Sequence, residues 1–281
     1  MQTLQTIREL LESRGLSPRK SLGQNFLIDH NLIRKLVDAS GVREGDLVLE
    51  VGPGTGALTD ELLMRGCSVI ACEMDRGLAD LLRERLASPQ AALGAPSAAS
   101  FTLIEGDCLA SKQELAPAIV QALAGRPFRL VANLPYGAAT PLMLTLMIDH
   151  PACGAMYVTI QREVADRLMA GPSTKDYGPI SIVGQAMCEI ERVAVLPPEC
   201  FWPRPDVTSA MISLVRRASP LTDDPGRLSD FCREVFSKRR KQLGSILGRG
   251  IFWPPGVRPE NRIEELPVGQ VIALAGRVDS L

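Results

Sequence analysis

A glycine-rich turn that joins a short apolar run to an amphipathic segment restricts the possible folds of this chain most strongly. The apolar run, Leu47–Val51, has the composition of a buried strand, and Gly-Pro-Gly-Thr-Gly follows it directly at positions 52–56. The next residues, 57–63, open a helix. A strand, a glycine turn and a helix hold a nucleotide-like cofactor at a helix N-terminus, where side chains on the glycines would block the ligand. We therefore expect an open, mostly parallel α/β sheet.

The glycines alone do not decide which cofactor binds. Gly52, Gly54 and Ala57 also satisfy the spacing of the dinucleotide fingerprint, so a nicotinamide-dependent dehydrogenase is an alternative. Two acidic residues, Glu73 and Asp107, come after two further apolar runs. The carboxylate of Glu73 can accept both hydroxyls of a ribose, and that of Asp107 can accept the amine of an adenine ring. Each also fits an ordinary carboxylate at a strand end or turn.

A fourth apolar run, residues 128–132, ends in the sequence Asn133-Leu134-Pro135-Tyr136. In an open parallel sheet, ligands bind at the carboxyl ends of the strands. The amide oxygen of Asn133 and the carbonyl before Pro135 can accept hydrogen bonds, and Tyr136 offers a ring face for stacking a flat base. Two acceptors beside a stacking ring fit the exocyclic amine of a purine, although Asn and Pro are also common in simple turns.

Alternating strand and helix patterns up to about residue 215 predict a three-layer αβα fold with seven strands, the seventh of which, residues 209–215, closes the sheet. The composition changes beyond residue 220, so we predict a large domain over 1–217 and a small helical domain over 220–281. Three connecting segments are also predicted: a surface insertion over 88–100, a helix over 141–150, and a loop over 171–179 that covers the site.

Composition excludes several classes of protein. No apolar stretch is long enough for a membrane span, and the N-terminus lacks a secretory pattern. Seven cysteines without a Cys-x-x-Cys pair, together with two histidines, indicate reduced thiols in a cytoplasmic protein without a metal site. We expect a monomer. The net charge of −1 provides no global basic field, so any attraction to RNA must come from local patches.

One such patch is predicted near the C-terminus. Residues 228–247 have a helical pattern with only two acids, Asp230 and Glu234. A basic helix is usually a solvated face, but the local excess of charge in a nearly neutral chain favours contact with RNA. The basic residues of this segment are Arg233, Lys238, Arg239, Arg240, Lys241 and, just beyond it, Arg249.

Taken together, these segments resemble the ribosomal RNA small-subunit adenine dimethyltransferases of the RsmA/KsgA type over nearly the whole chain. The motifs that carry the resemblance follow the family's order and start at Gln24, Glu50, Glu73, Gly106, Asn133, Phe201 and Phe236. The resemblance implies a Rossmann-like class I methyltransferase fold with S-adenosyl-L-methionine as methyl donor. It also implies N6,N6-dimethylation of two adjacent adenosines in the 3′-terminal hairpin loop of 16S rRNA, within a small ribosomal subunit precursor.

The resemblance also assigns residues to the site. The implied donor-binding residues are Asn25, Leu27, Gly52, Gly54, Glu73, Asp107 and Asn133. The target base would be held by Asn133, Pro135 and Tyr136, with Phe201 as a second aromatic wall. Hydrogen bonds from the amine to the Asn133 side chain and the Pro135 carbonyl would favour a pyramidal, more nucleophilic nitrogen.

The chain departs from the family at two places in this region. Gly137-Ala138-Ala139 stands where a polar pair usually follows the tyrosine, and Trp202 and Arg204 are unusual in the aromatic loop. Two alternatives share the fold. One is the related group of methylases that act on 23S rRNA, and the other is a nucleic-acid-binding factor that has lost catalysis.

Overall fold

The computed structural model describes residues 2–248 and 250–278, so the predicted RNA contact at Arg249 lies outside the described residues. The strands are β1 (Phe26–Leu27), β2 (Leu47–Val51), β3 (Ser68–Glu73), β4 (Ser100–Glu105), β5 (Leu109–Ser111), β6 (Glu114–Leu115), β7 (Phe128–Asn133), β8 (Cys153–Gln161), β9 (Cys188–Leu196), β10 (Phe201–Trp202) and β11 (Ser209–Arg216). The α-helices are α1 (Leu4–Glu12), α2 (His30–Ser40), α3 (Ala57–Met64), α4 (Arg76–Arg85), α5 (Pro89–Leu93), α6 (Pro117–Leu123), α7 (Tyr136–Asp149), α8 (Arg162–Met169), α9 (Pro179–Met187), α10 (Pro225–Ser237), α11 (Leu243–Leu247) and α12 (Val268–Ala275). Short 3₁₀ turns are formed by Lys20–Leu22, Pro198–Cys200 and Ile263–Glu265.

Seven strands of the described chain form one sheet in the order β4-β3-β2-β7-β8-β11-β9. The neighbouring pairs from β4 to β8 are parallel, whereas β11 is antiparallel to both β8 and β9. The predicted seven-stranded, mostly parallel sheet is therefore confirmed. The prediction that residues 209–215 close the sheet is wrong, because β11 lies between two partners and β9 is the edge strand.

The burial of the two strands explains this order. The first six residues of β11, Ser209 to Leu214, are all buried, whereas in β9 only the two end residues, Cys188 and Leu196, are buried. A strand with partners on both sides and helices on both faces must be apolar nearly throughout, whereas an edge strand can be partly polar.

Two hydrophobic cores cover the two faces of the sheet. Leu130 and Ala132 of β7 pack into one core with α7 and α9, and Val131 between them packs into the other core with α2 and α3. This alternation follows from the two-residue period of a strand. Phe231 of α10 and Leu274 of α12 belong to the same core as α7. The division into 1–217 and 220–281 is not tested by this packing and stays a prediction.

Several predicted elements differ from the structure. The predicted helix over 141–150 begins earlier, at Tyr136, so that Pro141 lies inside α7. The predicted insertion over 88–100 contains a short helix, α5, whose N-terminus is capped by the Ser88 hydroxyl. The predicted helix over 228–247 is two helices, α10 and α11, separated by a turn. The hairpin β5–β6 and helices α6 and α9 have no counterpart in the sequence prediction.

The loop over 171–179 does not cover the site, so that prediction is wrong. Its backbone and side chains contact the C-terminal segment instead: Ser173 N–H donates to the Glu264 carbonyl at 2.7 Å, and the Tyr177 hydroxyl donates to the Leu266 carbonyl at 2.9 Å. Tyr177 is almost fully buried there. These contacts hold the loop against the C-terminal helices. Separately, no helix within residues 2–248 and 250–278 has the length and apolar character needed to cross a membrane.

Candidate active site

A cavity of about 1640 Å³ opens at the carboxyl ends of β2, β3, β4 and β7. Its volume exceeds the range of about 300–1,000 Å³ that is usual for one small ligand, so it has room for a cofactor and a second group. All residues predicted to bind the donor or the base line this cavity: Asn25, Leu27, Gly52, Gly54, Glu73, Asp107, Asn133, Pro135, Tyr136 and Phe201. The structure therefore brings the predicted site residues together.

The glycine turn after β2 has left-handed backbone angles, with φ of 71° at Gly52 and 61° at Gly54. A Cβ atom on Gly54 would lie 2.8 Å from the ring of Phe26, and one on Gly52 would lie 3.0 Å from Cγ of Pro135. Both positions thus require glycine on two grounds, since other residues rarely adopt this backbone region and no space remains. The space beside the two glycines is filled by the side chains of Phe26 and Pro135. From the sequence we expected a ligand there instead.

Glu73 lies at the end of β3 with its side chain buried. Burial raises the pKa of its carboxyl group, and hydrogen bonds from backbone N–H groups oppose that rise. The N–H of Gly54 donates to one carboxylate oxygen at 3.1 Å, and the N–H of Asp75 donates to the other at 2.9 Å. The carboxylate is thereby fixed in orientation between the glycine turn and the start of α4.

Asp107 follows β4 and is exposed. One of its carboxylate oxygens accepts a hydrogen bond from the N–H of Leu109 at 3.0 Å, which closes a tight turn into the hairpin β5–β6. The side chain stands at the wall of the cavity, at the tip of the strand next to β3. Its position is compatible with the predicted contact to an adenine amine.

Asn133 ends β7 with its side-chain nitrogen donating to the main-chain carbonyl of Asn25 at 3.0 Å. The carbonyl of Pro135 accepts hydrogen bonds from the N–H groups of Ala138 and Ala139, at 3.0 and 3.2 Å, because it begins α7. The predicted use of this carbonyl for the amine is therefore wrong. In the described part of the chain, no N–H donates to the carbonyl of Leu134, the residue before Pro135, which leaves that oxygen as the second acceptor.

Two aromatic side chains complete the wall near Asn133. Tyr136 is half-buried at the first position of α7, and burial raises the pKa of its hydroxyl group, while a hydrogen bond with Ser209 at 2.9 Å lowers it. Phe201 is buried in β10, which pairs with β1 so that Phe201 lies opposite Leu27. The neighbouring Trp202 stacks on Phe26, with ring centroids 6.2 Å apart. Phe26 in turn packs against the glycine turn at Gly54.

Residues 19–25 are here called the N-terminal strap, and residues 20–25 of it line the cavity. The side-chain amide of Gln24 donates to Asp75 at 3.2 Å, and the guanidinium of Arg19 lies 3.3 Å from the same carboxylate. The other oxygen of Asp75 caps α4 by accepting from the N–H groups of Gly77 and Leu78. One buried carboxylate thus connects the strap to the strand that carries Glu73.

Comparison with known proteins places this site in a family. The family described as "Ribosomal RNA adenine dimethylase" matches residues 15–279. The chain belongs to the ribosomal RNA adenine dimethylase family. It is 37% identical to the "Ribosomal RNA small subunit methyltransferase A" of Phenylobacterium zucineum (strain HLK1), covering 98% of this chain and 93% of the relative. It is 39% identical to the protein of the same name from Geobacillus kaustophilus (strain HTA426), covering 93% and 86%.

Solved structures agree with this assignment. A dimethyladenosine transferase from Plasmodium falciparum superposes with a TM-score of 0.66 at 25% identity, covering 80% of this chain and 75% of that one. The 23S rRNA methyltransferase ErmE superposes with a TM-score of 0.62 at 26% identity, covering 91% and 100%. This chain is accordingly an rRNA adenine dimethyltransferase with a class I methyltransferase fold. The dehydrogenase alternative and the alternative of a factor without catalysis are not supported.

The basic residues predicted to contact RNA fall into two groups in this dimethylase. Arg239 pairs with Glu264 at 2.5 Å and donates to the carbonyls of Thr174 and Lys175, so it holds the 171–179 loop and its assignment to RNA is not supported. Arg233 lines the cavity and pairs with Asp230. The remaining three are exposed and form no ion pair within residues 2–248 and 250–278: Lys238, Arg240 and Lys241.

Three residues of the dimethylase site, Ser209, Asp75 and Glu50, have no role in the sequence prediction. The carboxyl group of Glu50 is fully buried beneath the glycine turn, and burial raises its pKa to about 8, while a hydrogen bond from the Thr59 hydroxyl at 2.7 Å opposes the rise. The sequence did contain a signal for it, because a carboxylate interrupts an otherwise apolar strand. In the described ranges, no cluster of His, Cys, Asp or Glu side chains is arranged to hold a metal ion.

Proposed function

We propose that this dimethylase transfers methyl groups from S-adenosyl-L-methionine to N6 of two adjacent adenosines in the 3′-terminal hairpin loop of 16S rRNA. The acceptor would be a small ribosomal subunit precursor, and the relatives named small subunit methyltransferase A support that choice. The observation that carries the proposal is the paired set of free acceptors at Asn133 and Leu134, at the wall of a cavity that also contains Glu73.

The residues present fit the proposed donor. The carboxylate of Glu73 is already oriented by two backbone N–H groups and can accept the ribose hydroxyls. Asp107 can accept the amine of the donor's adenine ring, and the N-terminal strap borders the same space. When bound, S-adenosyl-L-methionine would supply a methyl group on a sulfonium centre, from which a neutral thioether is a good leaving group.

The chain's own residues then position the target amine. The amide oxygen of Asn133 and the carbonyl oxygen of Leu134 accept hydrogen bonds from its two N–H groups, which reduces delocalisation of the nitrogen lone pair into the ring. Tyr136 and Phe201 stack on the base and hold its nitrogen in line with the methyl group. This arrangement needs orientation and hydrogen bonding rather than a strong general base.

A base can enter this cavity only after it has left its stack. That step costs less in a hairpin loop than in a duplex, because loop bases are incompletely stacked and paired. The exposed side chains of Lys238, Arg240 and Lys241, with Arg233 nearer the cavity, would contribute local positive charge for the phosphates. With a net charge of −1 for the whole chain, binding would depend on this patch.

The proposal is tested by incubating the full-length protein with labelled donor and small ribosomal subunits that lack the modification. Primer extension on 16S and 23S rRNA then locates the methylated adenosines. We expect stops at two adjacent positions near the 3′ end of 16S rRNA. Stops on 23S rRNA alone would instead favour the second candidate function, methylation of 23S rRNA. The similarity to the 23S rRNA methyltransferase ErmE over 91% of this chain supports that candidate.

A further inference from the structure

Ser209 is the residue at which the tyrosine wall of the base pocket is fastened to the central sheet. Its side chain is fully buried, and its hydroxyl lies 2.9 Å from the hydroxyl of Tyr136. We propose that Ser209 is a positioning residue that sets the orientation of the Tyr136 ring for stacking on the target adenine. The inference rests on the proposed function, since it assumes that Tyr136 contacts the base.

The backbone at Ser209 is a firm anchor. It is the first residue of β11, and its backbone is paired on one side with Gln161 of β8 and on the other with Leu196 of β9. A residue with ladder partners on both sides moves little relative to the sheet. A hydrogen bond to such a residue transfers that rigidity to the far end of the tyrosine ring, because the bond is made at the hydroxyl rather than near the backbone.

Tyr136 has little else to fix it from its own helix. The two following residues are Gly137 and Ala138. Gly137 has no side chain and Ala138 has only a Cβ atom, so neither offers a side-chain hydrogen bond or a large packing surface to the ring. In this chain the hydrogen bond to Ser209 therefore contributes a large part of what fixes the ring's orientation. Without it, the ring would be free to rotate about its two side-chain bonds.

Ser209 also belongs to the segment that carries the opposite wall. Phe201 lies eight positions earlier and is held by the pairing of β10 with β1, opposite Leu27. The tyrosine and the phenylalanine are thus both attached to the stretch between β10 and β11, one through a strand pairing and the other through a hydroxyl pair. We infer that Ser209 fixes the separation and tilt of the two rings before any base binds.

Ser209→Ala removes the bond with little loss of volume, so the strand is expected to fold. On small ribosomal subunits, kcat should fall by between about tenfold and a hundredfold, as for a misaligned reactant. The dissociation constant of S-adenosyl-L-methionine should not change, and KM for the subunit should change less than kcat. A Ser209→Ala protein with the kcat of the wild type would overturn the proposal.

Tyr136→Phe removes the same bond from the other partner and keeps the ring. If Ser209 acts through the tyrosine hydroxyl, the double variant should be no slower than the slower single variant. Additive losses in kcat would mean that Ser209 acts by another route. The Tyr136→Phe variant also keeps the test informative if Ser209→Ala unfolds.

A spectroscopic measurement separates this proposal from the proposed function. The chain has three tyrosines, so fluorine-labelled tyrosine gives three assignable NMR signals in the free protein. Ser209→Ala should move or broaden the Tyr136 signal and leave those of Tyr157 and Tyr177 in place. If the Tyr136 signal does not move, the positioning role of Ser209 is contradicted even if the wild type methylates 16S rRNA. If the Tyr136 signal moves but the wild type does not methylate 16S rRNA, the positioning role of Ser209 is supported and the proposed substrate is wrong.

Discussion

The side-chain nitrogen of Asn133 donates to the main-chain carbonyl of Asn25, and the two atoms are 3.0 Å apart. A carboxamide has a donor side and an acceptor side. Because the donor side is used on Asn25, the oxygen of Asn133 remains available to the cavity next to the Leu134 carbonyl. The N-terminal strap thus orients the side chain that is proposed to bind the target amine.

Replacing Asn133 should therefore slow methyl transfer without preventing donor binding. We expect Asn133→Ala to lower kcat by about a hundredfold to a thousandfold, the usual effect of removing one preorganised hydrogen-bonding group. Asn133→Asp is the matched control for size, and it too should be slow, because its carboxylate would face the Asn25 carbonyl. Transfer of labelled methyl groups and calorimetric titration with the donor measure both effects. Turnover by Asn133→Ala near that of the wild type would contradict the acceptor role.

Changes at Glu73 should act mainly on donor affinity. Glu73→Ala removes the carboxylate proposed to bind the ribose, and loss of hydrogen bonds to a charged group typically costs about 1.5–3 kcal/mol, or at least about tenfold in Kd. Glu73→Gln keeps the shape but directs an NH₂ group toward the N–H of Gly54 or Asp75. Calorimetry with S-adenosyl-L-methionine should show weaker binding for both. An unchanged Kd would rule out the ribose contact.

Local signals predicted much of the fold. The bounds of β2 agree with the sequence prediction, since an apolar run followed by glycines determines both the strand and its end. Tyr136 shows where such signals stop being sufficient. The sequence predicted a helix that starts at residue 141, whereas α7 begins five residues earlier, at Tyr136, with Pro135 at its N-terminal cap.

The contacts that orient the site were harder to predict because they join residues far apart in sequence. Asn133 is held by the carbonyl of Asn25, and Tyr136 by Ser209, and neither pair leaves a pattern in composition or spacing. The RNA contact predicted for Arg239 is not supported for the same reason. Its charge fits an RNA-binding surface, but its position opposite Glu264 depends on how the C-terminal segment folds back.

Asp75 should influence donor binding through the N-terminal strap. Asp75→Ala removes both the contacts to Arg19 and Gln24 and the cap of α4, and loss of a cap lowers the free energy of unfolding by about 1 kcal/mol. Asp75→Ser is the matched control, because serine caps helices but is too short to reach the strap. We expect both variants to bind the donor about fivefold more weakly, equivalent to about 1 kcal/mol. A Ser variant with wild-type donor affinity would show that the strap contacts are irrelevant to binding.

Arg239 and Arg240 are adjacent but should behave differently. Arg240→Glu should raise the Kd for small-subunit RNA and reduce the slope of log K against log salt by about one, with no change in stability. Arg239→Gln should instead lower the free energy of unfolding by about 1–3 kcal/mol, because Glu264 and the carbonyls of Thr174 and Lys175 lose their donor. Filter binding at several salt concentrations and urea unfolding distinguish the two effects. Equal effects of both changes on RNA affinity would restore the original assignment of Arg239.

The buried carboxyl group of Glu50 should make the stability of the folded protein fall as pH rises. Its pKa is about 8 in the folded chain and 4.5 for an ordinary glutamate, with burial as the largest cause and the nearby carboxylates of Asp60 and Glu73 adding to it. Between these two values the unfolded chain releases the proton and the folded chain keeps it. The unfolded state therefore binds fewer protons, and stability decreases by up to about 1.4 kcal/mol per pH unit.

Glu50→Gln should remove that dependence, because glutamine copies the protonated form and can still accept from the Thr59 hydroxyl. Urea unfolding from pH 5 to pH 8 should show the wild type losing stability relative to the variant, with the gap widening toward pH 8 and closing toward pH 5. Thr59→Val would give a separate check, since it removes the hydrogen bond that lowers the pKa of folded Glu50. The fall in stability should then start at the same pH as in the wild type but extend to higher pH. If the curves of the wild type and Glu50→Gln run parallel over this range, Glu50 is ionised in the folded protein.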